Sequence, residues 1–126
     1  MDPVNLFAVA SQHSRWLSVR QSTIAQNIAN ANTPGYKAAD VTPFESTLAA
    51  TQLTMTQTRP AHMAPTGRGP SDPETREDES WETMHSGNNV SLEQQLMKAG
   101  EVGGAYALNT GLVKAFHRML MASSKG

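Results

Sequence analysis

Apolar residues recur at helical spacing only near the two ends of this chain. Stepping alternately three and four residues from Phe7 visits Ala10, Ser14, Leu17, Gln21, Ile24, Ile28 and Ala31, and six of these eight positions are apolar. A 3.5-residue period is the seam of a helix lying along another helix. Asp2 followed by Pro3 gives this helix a start, because the carboxylate can accept from free backbone N–H groups and proline at the first position forfeits no bond. The run Asn32-Thr33-Pro34-Gly35-Tyr36 stops it.

The same step from Leu92 visits Gln95, Ala99, Val102, Tyr106, Asn109, Val113, Phe116 and Leu120, and seven of these nine positions are apolar. Ser91-Leu92-Glu93-Gln94 reads as a capping box at its mouth. Gly100, Gly103, Gly104 and Gly111 interrupt this second helix at about 1 kcal/mol each relative to alanine. They predict close backbone approach by a neighbour.

Between the ends, Thr42-Pro43-Phe44-Glu45 repeats a helix-start signal, with Thr42 as cap and Glu45 placed to reach back, and predicts a short helix to about Met55. Residues 56–89 carry four prolines, at 60, 65, 70 and 73, and the run Glu74-Thr75-Arg76-Glu77-Asp78-Glu79. Such a segment buries too little to offset its ordering entropy and reads as a flexible or partner-ordered loop.

The pattern therefore predicts an all-α chain. Two long terminal helices pack as an antiparallel coiled-coil-like hairpin around an irregular middle with one short helix. The divisions are an N-terminal helix and turn over 1–36, a partly disordered loop or arm over 37–90 with the short helix at about 43–55, and a C-terminal helix over 91–126. Seam contacts fall to Leu17, Ile24 and Ile28 on one side and to Val102, Tyr106, Asn109, Val113, Phe116 and Leu120 on the other. Val9, Trp16, Val19, Leu96, Leu112 and Met119 are left facing outward, which points to contacts with other subunits.

Composition sharpens this picture by exclusion. Only 38% of the 126 residues are hydrophobic and 6% aromatic, so one large closed core is not the obvious outcome. The net charge of -1 conceals a segregation: residues 1–39 carry three bases and one acid, 40–90 three bases and eight acids, and 91–126 four bases and two acids. No basic cluster suggests a nucleic-acid footprint. With no cysteine, thiolate chemistry, disulfides and Cys-ligated zinc are excluded. No apolar run approaches the ~20 residues of a membrane span, and the start lacks the pattern of a cleavable signal peptide.

Candidate chemistry is thin. His13, His62, His85 and His117 have no i,i+4 partner and no carboxylate at ligand spacing. Ser11, Ser14, Ser18 and Ser22 form a row without an orienting base, so a polar helix face accounts for them. The Glu74–Glu79 run lacks alternating cation-ligand spacing and reads as a solvated charge run. Gly67-Arg68-Gly69 has no strand and helix around it and is no phosphate loop. No enzyme and no cofactor are implied, and a wall hydrolase would need a carboxylate pair or metal constellation that cannot be placed.

The stretch Ser22-Thr23-Ile24-Ala25-Gln26-Asn27-Ile28-Ala29-Asn30-Ala31-Asn32-Thr33-Pro34-Gly35-Tyr36-Lys37 closely resembles the N-terminal signature of flagellar rod, hook and hook-associated proteins. Gly87-Asn88-Asn89-Val90-Ser91-Leu92-Glu93, with a helix ending Phe116-His117-Arg118-Met119-Leu120, resembles the short proximal rod members of that family. Ala105-Tyr106-Ala107-Leu108-Asn109 keeps a version of a theme shared by other rod and hook proteins, so another short rod protein, FlgC-like, stays an alternative. A cytoplasmic helical export chaperone or adaptor is a more distant one.

The resemblance implies a structural subunit of the proximal rod of the flagellar basal body, needed for flagellum assembly and motility. It implies export by the flagellar type III apparatus without a cleavable signal, a periplasmic place in the rod, and order gained on assembly. The implied neighbours are other copies of the chain, the rod proteins FlgC and FlgF, the rod-to-ring adaptor FliE and the export gate. The assembly residues so implied are the seam positions together with Asn27, Asn30, Asn32, Thr33, Pro34, Gly35 and Tyr36.

Overall fold

In the computed structural model the described residues are 3–52 and 73–126. Five elements follow in order: α1 (Pro3–Ala29), β1 (Ala39–Val41), α2 (Phe44–Gln52), β2 (Thr75–Glu77) and α3 (Leu92–Lys125). The Asp2 cap, the last residues of the short helix (53–55) and much of the anticipated loop (56–72) lie outside the described residues.

The chain is mostly helical, and its long terminal helices are in contact. At 27 and 34 residues they are ~40 and ~50 Å long at 1.5 Å per residue. Their contacts run in opposite numerical order: Asn27 meets Gln95, Arg20 meets Glu101, Ser14 meets Tyr106, and Phe7 meets Phe116. Leu17, Ile24 and Val102 form the buried centre, 1–3% exposed, with Trp16, Ala105 and Tyr106 packed against them. Further toward the chain ends, Phe7 and Phe116 meet edge to face with ring centroids 5.5 Å apart.

The all-α expectation needs one correction. β1 and β2 pair antiparallel, with Ala39 opposite Glu77 and Val41 opposite Thr75. Part of the acidic run is thus a strand rather than a solvated loop. It can be ordered because β1, buried at Val41, supplies backbone partners and because the adjacent Asp78 finds a cation in Lys98.

Three local expectations also change. Ser91 caps α3, its side chain accepting from the Gln94 N–H, but the Gln94 side chain turns away to donate to the Glu79 carbonyl at 3.0 Å. Only half of the capping box forms. Trp16 is not an outward residue: it packs on the centre and its Nε1 donates to the Thr42 carbonyl at 2.8 Å. A Cβ added at Gly100, Gly103, Gly104 or Gly111 would meet no atom within 4 Å, so the close approach expected there does not occur within the chain.

Candidate assembly site: the hairpin end and its charge cluster

The segment after α1 closes over the segment before α3. Asn30 and Thr33 hold the descending turn, with Thr33 Oγ1 donating to Asn30 Oδ1 at 3.1 Å and the Thr33 N–H to the Asn30 carbonyl at 3.0 Å. Gly35 then adopts φ +75°, a left-handed conformation that glycine reaches without a Cβ penalty. Gly87 does the same at φ +84°, and a Cβ there would sit 3.5 Å from Gly35 Cα. The Gly35 N–H donates to the Ser86 carbonyl at 3.0 Å, so two glycine turns are laid against each other.

Asparagine amides lock this contact. Asn88 Nδ2 donates to the carbonyls of Asn30 at 2.9 Å and Thr33 at 2.7 Å, while its Oδ1 accepts from the Val90 N–H. Asn89 Oδ1 accepts from the Ala38 N–H at 2.6 Å, and the Asn89 N–H donates to the Tyr36 carbonyl. Asn27, fully buried, bonds both the N–H and the carbonyl of Ala39, donates to Gln95 Oε1 at 3.0 Å and accepts from the Tyr36 hydroxyl at 3.4 Å. Buried polar groups must be paired, and an amide that bonds two segments fixes their register. Gln95 Nε2 is buried without a hydrogen-bond partner among the described residues.

One layer further along the hairpin, charges replace amides. Asp40 accepts from Arg20 Nε at 3.2 Å and from Lys98 Nζ at 3.1 Å; Arg20 also reaches Glu101 at 3.3 Å, and Lys98 pairs with Asp78. Burial alone would raise the Asp40 carboxyl. The Arg20 and Lys98 hydrogen bonds, the Val41 N–H and the Arg20 charge outweigh it and hold the group below its usual value. The cluster joins α1, β1, α3 and the end of β2. Arg20 also lies 5.6 Å from the Trp16 ring centroid, and His13 packs between Trp16 and Phe44 with ring centroids 6.0 and 4.8 Å away. His13 is thus a packing residue among the aromatics that seat the start of α2.

The anticipated residues divide into three groups. Leu17, Ile24, Val102 and Tyr106 come together at the centre. Asn109 donates to the Ala10 carbonyl and Ser14 Oγ, Tyr106 Oη donates to the Ser14 carbonyl, and Val113 and Phe116 are half-buried beyond them. Asn27, Asn30, Thr33, Gly35 and Tyr36 build the hairpin end. Ile28 and Leu120 are exposed, at 38% and 37%, and Asn32 and Pro34 lie on the surface of the turn. Ile28 yields the seam to Asn27, the only one of the two whose side chain can satisfy the Ala39 backbone. Asn88, Asn89, Gln95, Arg20, Asp40 and Lys98 were not among the anticipated assembly residues. The position of Asn88-Asn89 just before the Ser91 cap is a local signal, whereas the charged residues come together from distant segments.

Among the described residues no group of three or more histidines and carboxylates is placed to hold a metal ion, and no helix is long and apolar enough to cross a membrane. The amides and charges of this site fasten the segment after α1 to the segment before α3 within one chain.

Residues 17–37, the second half of α1 and the turn that carries the amide lock, match the family described as Flagella basal body rod protein. The whole chain is similar to the flagellar basal body rod protein FlgB of Agrobacterium fabrum (strain C58 / ATCC 33970), 43% identical over 132 residues that cover 99% of this chain and 96% of the relative. On that likeness the chain belongs to the family of FlgB flagellar basal body rod proteins.

Proposed function

We propose that this chain is a structural subunit of the proximal rod of the flagellar basal body, joining the membrane ring and export gate to the more distal rod. It is not an enzyme. The observation that carries the reading is the hairpin end: the family-matched turn at residues 30–36 is held by Asn88 and Asn89 from the other end of the chain. A rod subunit must present both ends of its chain as one unit, and this lock joins them.

In this reading α1 and α3 act as an antiparallel coiled-coil-like hairpin in the tube wall, which the opposite numerical order of their contacts supports. The segment between the two helices serves as an arm, its described parts fastened through β1 and β2. Neighbours are other copies of the chain, FlgC, FlgF, the adaptor FliE and the export gate. The subunit is installed in the periplasmic part of the basal body after export by the flagellar type III apparatus.

The test is an in-frame deletion complemented with wild-type chain or with Asn88→Ala. The deletion strain should lack a rod and be non-motile. Wild-type chain should restore both, and Asn88→Ala should restore them poorly at equal expression. Motility without the chain would refute the reading.

A further inference from the structure

Trp81 is the one exposed Trp, Tyr or Phe side chain among the described residues, at 62%. Hydrogen bonds hold its segment beside the start of α3: the Glu79 carbonyl accepts from Gln94 Nε2 at 3.0 Å, and Ser80 Oγ donates to the Asn89 carbonyl. The exposed carboxylates of Glu79 and Glu82 flank it. An indole left in water forgoes the burial of a large apolar area, and a tethered one of this kind is the residue type that anchors interfaces.

Toward the chain ends, the hairpin holds a groove of matching chemistry. About 370 Å³ of space between α1 and α3 is lined by Phe7, Ala10 and Val113, by the hydroxyl residues Ser11 and Thr110, and by the exposed Lys114. Residues 3–19 and 102–126 carry the bases Arg15, Lys114, Arg118 and Lys125 and no acid, whereas residues 73–101 carry seven acids and two bases.

We propose that Trp81 of one copy of the chain docks in this groove of a second copy, with Glu79 and Glu82 set against Lys114 and Arg118. The apolar lining receives the rings, a hydroxyl accepts from the indole N–H, and the cations meet the flanking carboxylates. Trp81 cannot fill the groove of its own chain, because Gln94, which tethers its segment, and Thr110 are ~24 Å apart along α3. Nor can two copies exchange the contact about a two-fold axis. Lys98, which pairs with the arm at Asp40 and Asp78, and Lys114 stand about 160° apart around α3, so the indole and the groove lie on opposite flanks of the hairpin. The contact is therefore heterologous and repeats from copy to copy as an open series. The choice of another copy as the partner rests on reading this chain as an assembly subunit.

The chain has no cysteine, so single introduced thiols report the contact. Purified Met84→Cys and Ser11→Cys chains, one thiol near Trp81 and one at the groove, are mixed and treated with a short bismaleimide. The mixed product should exceed both like pairs. Trp81→Ala in the first chain should cut its yield on the order of tenfold. Lys114→Glu in the second should cut it likewise, and Glu82→Lys in the first should then restore it. Absence of the mixed product, like pairs in equal yield, an undiminished Trp81→Ala product or a failed charge swap would each overturn the contact. The rod assignment is read separately, by motility of the deletion strain, and does not fall with it.

Discussion

At the scale of single residues, hydrogen-bonding capacity decides more than hydrophobicity. Asn88 fills two turn carbonyls and a loop N–H, so Asn88→Ala leaves buried backbone groups unpaired and should cost about 2–3 kcal/mol in urea unfolding. Gly87→Ala forces a Cβ into left-handed backbone facing Gly35 and should cost about 1–2 kcal/mol in the same assay. Asp40 adds a pH signature. Its carboxyl is held below the ordinary value, so its contribution is complete above that value, near pH 4, and is lost as pH falls through the folded one. Asp40→Asn should therefore destabilise by about 2 kcal/mol at pH 7, and the gap from wild type should narrow toward pH 3. A gap of equal size at both pH values would show that the charge cluster does not hold the arm.

At the scale of elements, register is the testable quantity. Ile24 is 3% exposed between the helices, and Ile24→Asp buries an unpaired charge at a cost of about 3–5 kcal/mol. Ile28, four residues on, should accept Asp for less than about 1 kcal/mol because it stands at the surface. Thermal melts of the two variants separate this register from one that keeps Ile28 in the seam. Phe116→Asp should fall between them, since Phe116 loses the Phe7 ring contact from a half-buried position.

Much of this layout was legible in the sequence. Val102, Tyr106, Asn109, Val113 and Phe116 follow from helical spacing, because a seam leaves a local periodic mark. Ile28 was misplaced because periodicity counts apolar side chains, whereas Asn27 enters the seam to satisfy the Ala39 backbone, which is not adjacent in sequence. The β1–β2 pair was missed for a similar reason. Each strand is three residues long, and what makes Thr75–Glu77 a strand is Ala39–Val41, more than thirty residues away. Lys98, Asp40 and Arg20 likewise carry no local mark of their meeting.

At the scale of the whole molecule, the buried apolar centre between the helices is, among the described residues, three side chains, Leu17, Ile24 and Val102, on helices of 27 and 34 residues. Helices of this length draw most of their stability from packing, and a small centre supplies little of it. The amide lock and the charge cluster fix one end of the hairpin, while α3 beyond Phe116 is exposed throughout. An installed subunit would cover what the free chain leaves open. Hydrogen exchange should accordingly show protection around Asn27, Asn88 and Val102 in the free chain, and protection after Phe116 only once neighbours are present. The most direct measurement of the central claim is the location of this chain in intact basal bodies, purified from a strain carrying it with a small epitope and labelled with a gold-conjugated antibody. Label on the rod next to the membrane ring is the predicted result. Basal bodies that carry a complete rod without the chain would contradict the account.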